Sequence, residues 1–99
     1  MIRYTTPTIR IKEETGSDLS QYNKLKVTVS QLDTVITKEP TVEGSVMSIT
    51  LTQEESARFR LNYPCEVIVN AMKGEKRYAS NVMNVPLYKN LLNEVIDGA

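Results

Sequence analysis

Apolar and polar residues alternate along most of this chain with a period of two, and the places where the alternation stops are as informative as the alternation itself. After Pro7, the run Thr8–Lys12 sets Ile9 and Ile11 on one face and Thr8, Arg10 and Lys12 on the other, the pattern of a half-buried strand. The residues EETGSDLSQYNK that follow are rich in turn formers, with Leu19 and Tyr22 placed to fold back onto a core. A second strand is expected over 25–31, with Leu25, Val27 and Val29 inward, and a third over Thr34–Lys38. Only Leu32 and Asp33 separate the two, so they are expected to form an antiparallel hairpin. Pro40 ends the third strand, and PTVEGS reads as a loop before a strand over 46–52 that carries Met47, Ile49 and Leu51.

At Thr52 the period changes. Thr52 and Glu55 have the T-x-x-E spacing of a capping box, in which the hydroxyl accepts from the N–H three residues on and the carboxylate accepts from the N–H of the cap. A short helical turn over 52–59 is expected, delivering Ala57 or Phe59 to the core. Pro64 disfavours a helical Tyr63 and resets the chain to a strand over 65–72, apolar in part on both faces and therefore central. Lys73, Gly74, Glu75 and Lys76 form a hairpin signal, followed either by one return strand over 77–87 with a bulge near Ser80 and Asn81 or by two short strands. Pro86 points to an edge for the far end. From residue 88 the spacing of Tyr88, Leu91, Leu92, Val95 and Ile96 is that of an amphipathic helix over 88–97, stopped by Gly98.

Six or seven short strands with one long helical signal at the end predict an all-β fold, an antiparallel β-sandwich, as a single domain over 1–99. A one-sheet α+β fold with the last helix packed on the sheet is the rival reading. Twelve basic and twelve acidic residues cancel, so no global field draws the chain to nucleic acid or to an anionic membrane. The apolar runs fall short of a membrane span, and MIRYTTPTIRIKEE has no apolar centre of a signal peptide.

Candidate chemistry is sparse. The chain has no histidine, which removes histidine-based nucleophilic systems and the commonest transition-metal ligand. Cys65 is the sole cysteine and reads as a buried packing residue. Glu13, Glu14 and Asp18 fit no calcium-loop spacing, Glu54 and Glu55 are explained by a helix start, and the isolated Gly44 and Gly74 build no phosphate loop. Lys73, Lys76 and Arg77 beside Tyr78 read as a solvated hairpin tip in preference to a nucleic-acid contact. The stripe of Tyr88, Leu91, Leu92, Val95 and Ile96 is the candidate partner-binding surface, with packing on the chain's own core as the plainer alternative. No catalytic residue, cofactor or metal is expected.

The segments TPTIRIK, DLSQYNKLKVTVSQ, SITLTQEESARF and CEVIVNAMKGEKRYASNVMNVPL, closed by L-x-x-V-I, resemble a group of small proteins of unassigned role encoded in phage and prophage structural gene modules. The matching residues are Thr6 and Pro7, Asp18, Leu19 and Ser20, the stretch 27–31, the stretch 51–59, and Gly74 with Ala79 and Ser80. The plan is also similar to the immunoglobulin-like N-terminal domain of phage baseplate upper proteins. The 99 residues do not include that family's long C-terminal receptor-binding extension and add the 88–96 stripe, so no receptor-binding role carries over. The resemblance implies an immunoglobulin-like sandwich acting as a non-enzymatic structural or assembly protein of tail or baseplate type. It would be made in a bacterial cytoplasm and carried in a virion, with other phage structural proteins or a second copy as partners, and no nucleic acid, membrane or small-molecule substrate. The alternative is a monomeric binding or regulatory module that recognises a host or phage protein.

Overall fold

The computed structural model of the chain describes residues 1, 2, 5–13, 15, 16, 18–60, 63–80 and 82–85. Among them run the strands β1 (Thr8–Lys12), β2 (Lys24–Gln31), β3 (Thr34–Lys38), β4 (Thr41–Glu43), β5 (Val46–Thr50), β6 (Cys65–Lys73), β7 (Lys76–Ala79) and β8 (Met83–Val85). A helical turn, α1 (Gln53–Ala57), lies between β5 and β6, and a single 3-10 turn over Leu19–Gln21 lies between β1 and β2. The helix read over 88–97 falls outside the described residues.

The strands make two antiparallel sheets. One has the order β1-β5-β4; the other has the order β3-β2-β6-β7, with β8 also on β6. Register brings like faces together: Ile9 and Ile11 stand opposite Ile49 and Met47, and Val27 and Val29 stand opposite Val69 and Val67. These inner faces share one core with Leu51, Phe59, Cys65 and Leu19. The protein is therefore an all-β sandwich. Each apolar side chain buried to this degree contributes about 1.5–3 kcal/mol relative to exposure, and Val27, Val29, Leu51 and Phe59 have no solvent exposure. Residues 19 and 22 fold back as their spacing suggests, Leu19 buried and Tyr22 half-buried against the same core.

One segment departs from the sequence reading, and a second takes one of the two forms that reading left open. PTVEGS is not only a loop: Thr41, Val42 and Glu43 form β4 opposite Ser48, Met47 and Val46. The β-branched Thr41 and Val42 favour extended backbone once Pro40 has ended β3, and Val42 gains a place over the core across from Met47. Gly44, at φ 60°, supplies the turn of this hairpin. The return strand after Gly74 is two pieces on the same side of β6. Tyr78 pairs with Ala71 in the first and Met83 with Val67 in the second. Between them Ser80 keeps the ladder going, its N–H donating to the Val69 carbonyl and its Oγ accepting from the Val69 N–H, both at 2.9 Å.

The corner at Thr52 forms as its spacing predicts. The Thr52 N–H donates to Glu55 Oε1 at 2.8 Å and the Glu55 N–H donates to Thr52 Oγ1 at 3.1 Å, so two orphan donors of the helix start are satisfied. α1 is only five residues long, and it carries Phe59 into the centre of the core while Ala57 stays half-buried. The pattern did not single out Ser56, which is fully buried. Its Oγ donates to the Thr5 carbonyl at 2.7 Å and accepts from the Thr5 N–H at 3.0 Å, tying the segment before β1 to the corner.

Candidate functional site

The isolated candidate residues of the sequence find structural roles. Cys65 is buried, its thiol pushed upward in pKa by that burial, and the Gln31 amide nitrogen lies 3.9 Å from its sulfur. Gln31 is itself 4% exposed, and its Nε2 donates to the carbonyls of Arg60 and Tyr63, each at 2.8 Å, while its Oε1 accepts from the Arg60 N–H. It thus holds the chain between α1 and β6. Glu55 feels burial, which raises its pKa, but bonds from Lys38 and from the Thr52 backbone outweigh it and hold the carboxyl below its ordinary range. Glu54 is exposed in the first turn of α1. Asp18 accepts from the Ser20 N–H at 2.9 Å, which lowers its pKa, and Glu13 accepts from the Thr15 hydroxyl; Glu14 lies outside the described residues. Among the described residues no three acidic or cysteine side chains gather as metal ligands, and no helix there is long and apolar enough to cross a membrane.

The basic hairpin is split by its own geometry. Arg77 lies against Asn70, with Nε and Nη2 at 3.3 and 3.2 Å from Asn70 Oδ1, and Lys73 donates to Gln21 at 3.2 Å. Tyr78, one residue on, faces the opposite way and meets the Tyr22 ring edge to face, with centroids 6.3 Å apart. Successive strand residues alternate faces, so the interleaved spelling does not become one surface. The stripe Tyr88, Leu91, Leu92, Val95 and Ile96 lies outside the described residues.

What the fold does assemble is an open flank. The sandwich has two sides, and on one of them β3 passes straight to β4 through Glu39 and Pro40. On the other side the edge strands are β1 of one sheet and β7 with β8 of the other. Between them lies a groove of about 430 Å³ with Ile11, Leu25, Met47 and Met83 on its walls and Tyr78 and Ser80 at its rim. The pairing of β1 shows which of its backbone groups face this opening. The Pro7 carbonyl accepts from the Leu51 N–H and the Glu13 N–H donates to the Ser45 carbonyl. Antiparallel bonds alternate residue by residue, so Ile9 and Ile11 bond to β5 and the backbone groups of Thr8, Arg10 and Lys12 point away from it. Among the described residues nothing pairs with that edge.

The side chains of this site were legible as a strand; its status was not. Nothing in the alternation of Ile9 and Ile11 with Arg10 and Lys12 distinguishes an edge strand from a central one, and only Pro7 at its start leans toward an edge. No family model matches the chain, and no curated protein or solved structure matches it.

Proposed function

We propose that this is a non-enzymatic structural or assembly protein of a phage or prophage, of tail or baseplate type, that acts by adding its sheet edge to a neighbouring protein. The observation that carries the reading is the edge of β1, unpaired among the described residues, above an apolar groove. An edge of this kind joins partners through main-chain hydrogen bonds, with side-chain pockets adding selectivity, and needs no reactive group. A chain without histidine and with its one cysteine buried suits that mode. Lettered B, C, C′, D, E, F and G in chain order, β1 to β7 pair as B-E-D and C′-C-F-G, the order of an immunoglobulin sandwich around the place of its first strand. This supports the immunoglobulin-like resemblance; the phage assignment and a final location in the virion are proposed from that resemblance.

The test is co-purification of the chain with the products of the genes beside its own, followed by sedimentation. A complex or a closed oligomer is expected; a chain that stays alone in the presence of all its neighbours would sink the assembly reading. The concave apolar groove also favours a second reading, a monomeric module that recognises a host or phage protein. That reading expects a stable monomer in sedimentation and one tight partner from the infected cell.

A further inference from the structure

We infer that the slot beside β1 takes an extended segment of another protein in which apolar residues alternate with acidic ones. This names the partner chemistry of the open flank and rests on the reading of the chain as an assembly protein. Three features of the flank fix that chemistry. The outward backbone groups of Thr8, Arg10 and Lys12 provide donors and acceptors at strand spacing, so the occupant is extended. Beneath that edge the groove is walled by Ile11, Met47, Leu25 and Met83, so every second side chain of the occupant enters an apolar space.

The third feature is charge. The outer face of β1 carries Arg10 and Lys12, both exposed, and neither is in an ion pair among the described residues. Lys12 also lines the groove itself, whereas Arg77 on β7 turns to the far face of its sheet against Asn70. Glu13 accepts from the Thr15 hydroxyl, and Glu43 stands on the same sheet face as Lys12 with Val46 between them. A chain with no net charge thus sets two exposed cations along the edge strand that borders this slot. Side chains directly opposite in an antiparallel pair interact, and opposite charges there are favourable, so the outward positions of the occupant are Asp or Glu. The slot is also the place that the first strand fills in an immunoglobulin-type sheet. A nucleic acid would need stacking surfaces beside the cations, and Tyr78, the aromatic at the groove rim, is engaged with Tyr22.

The experiment titrates the whole chain with three synthetic peptides of about nine residues, long enough to overlap β1 at roughly 3.4 Å per residue. One alternates Ile with Glu, one Ile with Lys, and one Ser with Glu. The Ile/Glu peptide is expected to bind, and binding should slow amide hydrogen exchange at Thr8, Arg10 and Lys12 while Ile9 and Ile11, already bonded to β5, change little. The double variant Arg10→Glu, Lys12→Glu is expected to weaken the Ile/Glu peptide by about tenfold and to favour the Ile/Lys peptide. Arg10→Pro removes only an outward N–H, a substitution that edge strands accept, and should abolish binding while the thermal unfolding of the chain stays cooperative; Lys12→Pro serves if the first variant does not fold. Equal binding of the Ile/Lys peptide would overturn the charge rule, and equal binding of the Ser/Glu peptide would overturn the role of the groove. Slow exchange at Thr8, Arg10 and Lys12 without any peptide would mean that the slot is filled by this chain or a second copy, and would overturn the proposal. If no peptide binds while the chain still co-purifies with its genetic neighbours, the slot is wrong and the assembly reading stands.

Discussion

The two flanks of this sandwich are built from similar residues and finished in opposite ways. On the β3 and β4 flank the chain crosses between sheets in two residues, and Lys38 reaches from β3 to the other sheet. Its Nζ lies 2.9 Å from the Thr50 carbonyl and 2.6 Å from the Glu55 carboxylate. The α1 corner seals the same region, with Leu51, Phe59, Cys65 and Ser56 all without exposure. On the β1 and β7 flank, Ile11, Leu25 and Met83 remain half-buried around a groove, and Arg10 and Lys12 of its edge strand are in no ion pair among the described residues. Half-burial leaves part of the hydrophobic stabilisation unrealised, and an open edge invites unwanted pairing. A fold that closes one flank this completely and leaves the other open concentrates stability in the first and leaves the second free for a partner.

The contrast can be broken by mutation. The largest effect is expected at the sealed corner: Phe59→Ala should destabilise by about 3–5 kcal/mol through the cavity it leaves, read by denaturant unfolding. If it costs no more than a surface change, the corner is not where the core is anchored. Gln31→Leu comes next, at about 2–3 kcal/mol, because the Arg60 N–H and the carbonyls of Arg60 and Tyr63 lose their shared buried partner. Amide exchange of Arg60 should rise in step with the loss.

Thr52→Ala should cost about 1 kcal/mol by removing the cap. Glu55 adds a pH dependence to the same corner. Its carboxyl is held below the ordinary range when folded, so its stabilisation is present at neutral pH and is lost as pH falls through the ordinary glutamate range and below. Lys38→Met should flatten this acid limb in a series of melts between neutral and acid pH; an unchanged limb would mean that other carboxylates set it. The smallest effect is expected on the open flank, where Arg10→Ala and Lys12→Ala should each change stability by less than about 0.5 kcal/mol. A larger loss in thermal or denaturant unfolding would show that these cations serve the fold, and would erase the difference between the flanks.

Much of this was legible in the order of residues. The alternation in 8–12, 25–31 and 34–38 located strands to within a residue of their observed ends, because a one-residue slip would turn every apolar side chain to solvent. The Thr52 and Glu55 spacing fixed a corner because both of its hydrogen bonds are local. β4 was less legible: three residues are too few for a period, and Thr41 to Glu43 become a strand only because β5 lies beside them. Ser56 and Gln31 were missed for a related reason. Each is a polar residue buried by bonds to segments distant in sequence, Thr5 in one case and Arg60 and Tyr63 in the other.

By itself, then, the sequence determined which stretches are extended, which face of each is apolar, where the corner falls, and that histidine-based chemistry is excluded. It could do so because those properties depend on neighbours two to four residues away. Only the tertiary structure decided that β1 is an edge and that its outward backbone groups overlook a groove. Those facts depend on which strand pairs with which, and pairing order is set by the packing of the two sheets over their common core.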